Sequence, residues 1–144
     1  MKARWIVLIL LCLSPVLMGA AEQNRTMIVL LPSGTQIMAE VADTSPKRVI
    51  GLMFRDQLPL NSGMLFIFED TDYHAIWMKN CRIPLDILWL DKNHKVIHME
   101  EDAPPCRDDS CRTYYPAQKA LYVLELNAGL IAREKIGLGA HLKF

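Results

Sequence analysis

The chain has 144 residues, is 51% hydrophobic and 22% charged, and carries 16 basic and 16 acidic residues for a formal net charge of zero. That composition fits one packed domain and excludes a disordered chain. There is no long basic run, which argues against a nucleic-acid partner, whose phosphates call for a dense positive face.

The amino terminus has the three parts of a secretory signal: Lys2 and Arg4, an apolar run from Ile6 to Leu17, and small residues at Gly19, Ala20 and Ala21. Residues 1–21 are therefore set apart from the fold, and residues 22–144 are expected to form a single globular domain. The domain is expected in the periplasm or outside the cell. If the segment is retained, the alternative is an inner-membrane anchor through residues 5–21. Loss of Lys2 and Arg4 leaves 14 basic residues against 16 acidic ones.

After a polar leader, Met27 to Leu31 reads as a strand, Pro32-Ser33-Gly34 as a turn, and Thr35 to Val41 as an alternating strand, so the two predict a hairpin. Ser45-Pro46 starts a short helix, with Val49, Ile50 and Met53 at helical spacing, ending by about Phe54. The apolar run Met64 to Phe68 predicts a strand buried on both faces, and Asp70-Thr71-Asp72 a turn. Tyr73 to Met78 is the next strand. It breaks at Lys79–Pro84 and resumes as Leu85 to Leu90. Lys95 to Glu101 is its partner across the turn at residues 91–94. Residues 102–119 are the longest irregular stretch, followed by a strand over Ala120–Leu126, a helix from Ala128 to about Ile136, and a short closing strand over Gly139–Phe144. The fold class is α+β, mainly antiparallel β, with a curled or barrel-like sheet and two short helices.

Cys12 leaves with the signal, so Cys81, Cys106 and Cys111 remain. Cys106 and Cys111 flank a short polar loop and are the natural disulfide pair in an oxidising compartment. Their spacing is not the Cys-x-x-Cys of a redox couple. Cys81 is left as an odd, free thiol. The histidines show no metal-ligand spacing, and neither a metal nor a cofactor is expected.

Several motifs resemble one family. Arg48, Gly51-Leu52-Met53-Phe54-Arg55, Gly63-Met64-Leu65-Phe66, Trp77-Met78-Lys79-Asn80, Pro84-Leu85-Asp86, Pro105-Cys106 and Tyr122 through Gly129 are similar, in order and spacing, to the domain of unknown function 192. The resemblance runs from about residue 34 to 144. It implies an exported or membrane-anchored prokaryotic domain with a compact β-rich fold, and it implies no activity. The chain departs from the family pattern with Cys81 where threonine is common, Gly139-Ala140 where Gly-Asp is frequent, and Lys47 where the helix often opens with an acid.

Candidate chemistry gathers at the strand break. Lys79, Asn80 and Asp86, with Arg48, Arg55, Trp77 and Glu125, form a possible ligand-binding set. Arginine and lysine hold carboxylates or phosphates, and Asp86 or Glu125 orients them or acts as a base. The structural alternative is that these residues pin the strand crossing through pairs of Arg48 or Arg55 with Asp86 or Glu125. The expected function is a binding or accessory module of the cell envelope, holding a small polar or anionic ligand, or a partner envelope protein, near Lys79–Asp86. A small envelope enzyme using Asp86 or Glu125 and a structural assembly domain are the alternatives. There is no exposed nucleophile with a base and no phosphate-cradling glycine loop, so the balance leans away from an enzyme.

Overall fold

A computed structural model describes residues 25–144. The targeting segment read over residues 1–21 lies outside the described residues.

Eight strands and two short helices follow one another: β1 (Thr26–Leu30), β2 (Gln36–Ala42), α1 (Ser45–Ile50), β3 (Ser62–Asp72), β4 (Ile76–Trp77), β5 (Leu85–Leu90), β6 (Val96–Ala103), β7 (Thr113–Tyr114), β8 (Ala120–Asn127) and α2 (Leu130–Glu134). Six strands form one sheet in the order β1-β2-β3-β8-β5-β6, and β4 pairs with β7 in a small separate ribbon. The sheet is mainly antiparallel. Its one parallel pair is β2–β3, with α1 in the connection between them. The sheet is open, with β1 and β6 at its edges, so the barrel-like closure expected from the sequence is not present in the strand ladder. The segment expected as a closing strand makes only isolated bridges. Lys143 exchanges hydrogen bonds with Leu30 of β1, and Ala140 accepts one from Val96 of β6.

Strand alternation splits the core into two layers. On one face Met64, Phe66, Leu85, Ile87, Trp89 and Val123 meet Leu52, Ile76, Met78, Cys81 and Tyr114. On the other, Ile37, Leu65, Leu88, Leu90, Leu124 and Leu126 meet Leu130 and Ile131 of α2, Ile136 and Leu142. All six residues of β5 are buried, which is what covering both faces demands.

Two departures from the sequence reading bear on the site. β3 runs on to Asp72 through the stretch read as a turn, and the strand read over Tyr73–Met78 shrinks to Ile76–Trp77. The long irregular stretch lies along this shortened strand: Tyr114 pairs with Ile76 and Thr113 with Trp77. The backbone of Cys106 bridges to both Lys79 and Cys81, and Cys106 is joined to Cys111 by the expected disulfide. The staple therefore clamps the entry of the break at Lys79 and Cys81.

Gly63 is where β2, β3 and β8 approach most closely. A Cβ there would stand 2.5 Å from the Glu125 carbonyl oxygen and 2.9 Å from the Leu126 side chain. Both are parts of the central strand and cannot swing away. Gly63→Ala is expected to cost about 2 kcal/mol or more, within the range for overpacked interiors, read as a lowered urea midpoint. A loss below about 0.5 kcal/mol, the range of a neutral surface change, contradicts the tight approach.

Candidate functional site

A cleft of about 280 Å³ opens on the first of the two core layers. That lies at the lower edge of the roughly 300–1,000 Å³ usual for small-molecule pockets. α1 and the turn after it form one wall, with Val49, Ile50 and Met53. Phe66 and Phe68 of β3 form the back, and Ala75, Trp77 and Cys81 form the opposite wall. Glu125 of β8 is the floor.

Local sequence builds these walls. Pro46 stands in the first turn of α1, where a missing N–H costs nothing. The helix stops after six residues at Gly51, whose φ of 49° suits glycine. A side chain there would come within 3.2 Å of the Phe66 ring, so glycine seats the helix end directly on β3. The apolar spacing of Val49 and Ile50 predicts a buried helix face, but α1 buries none of its residues. Val49 and Ile50 are 61% and 59% exposed, at the mouth of the cleft. The apolar stripe faces an opening instead of a neighbouring element.

Glu125 is placed by register. It sits in the central strand between Met64 of β3 and Ile87 of β5, and it is 4% exposed. No side-chain hydrogen bond or ion pair reaches its carboxyl group among the described residues, and no buried polar side-chain atom among them is sealed off without a partner. The carboxyl therefore looks into the cleft. Burial alone pushes its pKa up to about 8, because a charge there loses water and gains no counter-ion. Cys81 shares the cleft. Burial, reinforced by the charge of Glu125, pushes its thiol up to about 12, so it is a thiol and not a thiolate at neutral pH.

The other residues singled out in the sequence lie elsewhere. Arg48 lines the cleft, but its guanidinium donates to the Ile67 carbonyl at 2.8 Å, reaches Glu69 at 3.4 Å and lies 5.3 Å from the Phe68 ring centre. Arg55 forms a two-point pair with Glu40 on β2, and this pair holds the Glu40 carboxyl below its ordinary range. Neither arginine pairs with Asp86 or Glu125. Lys79 reaches Asp109 at 3.0 Å across the surface. Asn80 has a φ of 56°, accepts the Phe54 N–H through its carbonyl, and borders a shallow polar depression with Phe54, Asp56, Arg82 and Arg107.

Asp86 faces the opposite side of the sheet. It is fully buried, and its two oxygens accept the N–H of Asp102 at 2.9 Å and of Ile131 at 2.7 Å. Ile131 is in the first turn of α2, whose N-cap is Gly129 with no side chain to offer. Asp86 supplies the missing acceptor from a neighbouring strand. So the structure brings Arg48, Trp77 and Glu125 to one cleft with Cys81, and separates them from Lys79, Asn80, Arg55 and Asp86. Ser45, Phe66, Phe68 and Ala75 complete the lining, and no signal in the sequence marked them out from core residues.

Cys106, Asp108 and Cys111 lie close enough to resemble a metal set, but both sulfurs are joined in the disulfide. Among the described residues no helix is long and apolar enough to cross a membrane.

Comparison with known proteins follows the same lines. The family model for domain of unknown function 192, described as an uncharacterized ACR, matches residues 28–144. The structure is similar to a protein of unknown function from Novosphingobium aromaticivorans, with 31% identity and a TM-score of 0.78 over 88% of this chain and 90% of that one. It is also similar to a protein from Sinorhizobium meliloti described as a putative transcription regulator, with 31% identity and a TM-score of 0.74 over 83% of this chain and 94% of the other. No curated protein matches the chain.

Proposed function

The chain belongs to the domain of unknown function 192 family, and on that footing we propose that it is a small-molecule-binding module of the cell envelope whose site is the cleft over Glu125. One observation carries the reading: a carboxyl group with no hydrogen-bond or ion-pair partner among the described residues, 4% exposed, at the floor of a mainly apolar opening. A structural carboxylate at such depth is paired, as Asp86 is. An unpaired one costs stability, and a bound ligand relieves that cost. The three-part pattern of residues 1–21 and the disulfide agree with an oxidising compartment.

This reading moves the ligand from the Lys79–Asp86 stretch to the cleft. It also changes the ligand's character, since a buried carboxyl at the floor offers an anion no counter-ion. A nucleic-acid partner, which the description of the Sinorhizobium relative raises, fits neither that floor nor the excess of acidic residues after residue 21.

A fragment screen followed by NMR tests the site. Binders are expected to shift the indole N–H of Trp77 and the amide of Cys81 while leaving the indole of Trp89 in place, because Trp89 is fully buried and donates to the His74 carbonyl at 2.7 Å. Binders that cluster at Arg82 and Arg107 instead would remove the cleft from consideration.

A second reading rests on the raised pKa of Glu125. A carboxyl near 8 at a cleft floor is tuned for general acid–base work at neutral pH. It predicts that a bound fragment with an acidic C–H exchanges that hydrogen in D2O, and that Glu125→Gln stops the exchange. Equal exchange in both proteins rejects catalysis by this residue.

A further inference from the structure

We propose that the cleft takes a small organic cation, an amine carried on an apolar body, with its ammonium group set against the Glu125 carboxylate. The inference rests on the cleft being the binding site and adds the chemical class of its ligand.

The argument begins with where the chain's own cations go. Arg48 lines the cleft but spends its guanidinium on the Ile67 carbonyl and Glu69. Arg55 is committed to Glu40, Lys79 to Asp109 and Arg82 to Asp56. The segments around the cleft thus supply several positive groups, and each is matched to another acceptor. Among the described residues that line the cleft, Glu125 is the carboxyl left unmatched, and it lies deeper than any of those partners.

An ionised carboxylate has only acceptor sites, and burial in apolar surroundings makes a cation with N–H donors its best complement. A neutral ligand gains one ordinary hydrogen bond from the protonated group. An ammonium gains a charge-assisted one, roughly twice as strong. An anion finds only a neutral carboxyl there and buries its own charge without a counter-ion. The walls match an apolar body: Val49, Ile50, Met53 and Phe66 offer hydrocarbon and ring surface. The aromatic faces nearest the mouth already have cations beside them, Arg48 at 5.3 Å from Phe68 and Lys79 at 5.5 Å from Trp77. The position left for a ligand's positive group is therefore the floor.

Proton balance gives the proposal a signature. At neutral pH the empty cleft holds Glu125 protonated. Entry of R–NH3+ ionises it, so the ammonium–carboxylate pair forms and one proton passes from the carboxyl to the buffer. The groups facing Glu125 from neighbouring elements are few. Met64 and Ile87 on the flanking strands are apolar. Arg48 from α1 carries a guanidinium that is committed to the Ile67 carbonyl and Glu69. Cys81 keeps its thiol proton. His74 is stacked on Phe68 with ring centroids 3.5 Å apart and is not among the residues that line the cleft.

The test is calorimetry at pH 7 with the folded domain, in two buffers of different ionisation enthalpy. Hexylamine and 2-phenylethylamine are compared with hexanol, 2-phenylethanol and hexanoate. The amines are expected to bind at least tenfold more tightly than the alcohols and to release close to one proton each, while hexanoate does not bind. Glu125→Gln is expected to weaken the amines at least tenfold and end the proton release, while the alcohols, which take one ordinary hydrogen bond at the floor, change by much less. Val49→Lys, at the exposed mouth, places a like charge in the path of the amines. It is expected to weaken them selectively, and it serves if the glutamine variant fails to fold. Alcohols that bind as tightly as amines, or amine affinity unmoved by both substitutions, overturn the cation assignment while the cleft stands as a site. If none of the five probes binds and the Trp77 signals do not move, the cleft reading falls as well.

Discussion

Glu125→Gln is expected to stabilise the protein at pH 8 and to flatten its stability between pH 5 and pH 8. The folded state holds the Glu125 proton up to about pH 8, while an unfolded chain releases it near the ordinary 4.5. Between those values the folded state binds more protons, so stability from this group is greatest below about 4.5, falls as pH rises, and is at its lowest above about 8. Glutamine keeps the shape and has no proton to lose. The gain at pH 8 is expected to be about 3 kcal/mol. The full shift converts to roughly 5, and the open cleft lets water relax part of the charge. Glu40 and Glu134 do not blur the result, because their lowered values give stability that is lost only as pH falls below the ordinary carboxylate range. Urea unfolding at pH 5, 6, 7 and 8 makes the measurement. A wild type as stable at pH 8 as at pH 5, with a variant no better than either, rejects an unpaired carboxyl at the floor.

Asp86→Ala is expected to be the more damaging change, at a cost of about 3–5 kcal/mol, the range for breaking a buried charged interaction and leaving its partners exposed to no other acceptor. The N–H groups of Asp102 and Ile131 both lose their acceptor. Asp102 has a φ of 52° at the register shift of β6 against β5, so the irregularity that points its N–H inward loses its anchor along with the start of α2. Hydrogen exchange is expected to rise first in α2. Fragment binding in the cleft is expected to persist in whatever fraction stays folded, because Asp86 and the cleft lie on opposite faces of the sheet. A loss under about 1 kcal/mol, the worth of a single ordinary hydrogen bond, shows that Asp86 does not brace both elements.

The two carboxylates mark where the sequence was legible and where it was not. Leu85–Leu90 is read to the residue as the strand that resumes after the break, because an apolar-rich run starts after Pro84 and stops at the turn opened by Asp91. Alternation along β8 places Glu125 on the face of Val123, and that is where it lies. Sequence proximity then misleads. Lys79, Asn80 and Asp86 read as one cluster, yet the chain crosses from a surface turn into the sheet between them, and strand parity sends Asp86 to the far face. Partner choice is equally hidden. Arg55 answers to Glu40 because α1 lies between β2 and β3, and no local pattern records that neighbourhood. The mouth of the cleft was missed for a related reason. Val49 and Ile50 carry the spacing of a packed helix face, and an apolar stripe looks the same in sequence whether an element or an opening stands opposite.

The order of the sheet has a kinetic meaning. The strand that completes the centre, β8, is the last strand in chain order among the described residues, and it joins β3 to β5: Leu65 faces Leu124 on one side of it and Leu88 faces the same residue on the other. Until residues 120–127 are available, β1–β2–β3 and β5–β6 are two sheet fragments with one raw edge each and no common core. Folding is then governed by distant pairings rather than by local ones, which places it among slow, millisecond-to-second topologies. The floor carboxyl, the cleft above it and the core beneath therefore take shape only when β8 joins the two fragments.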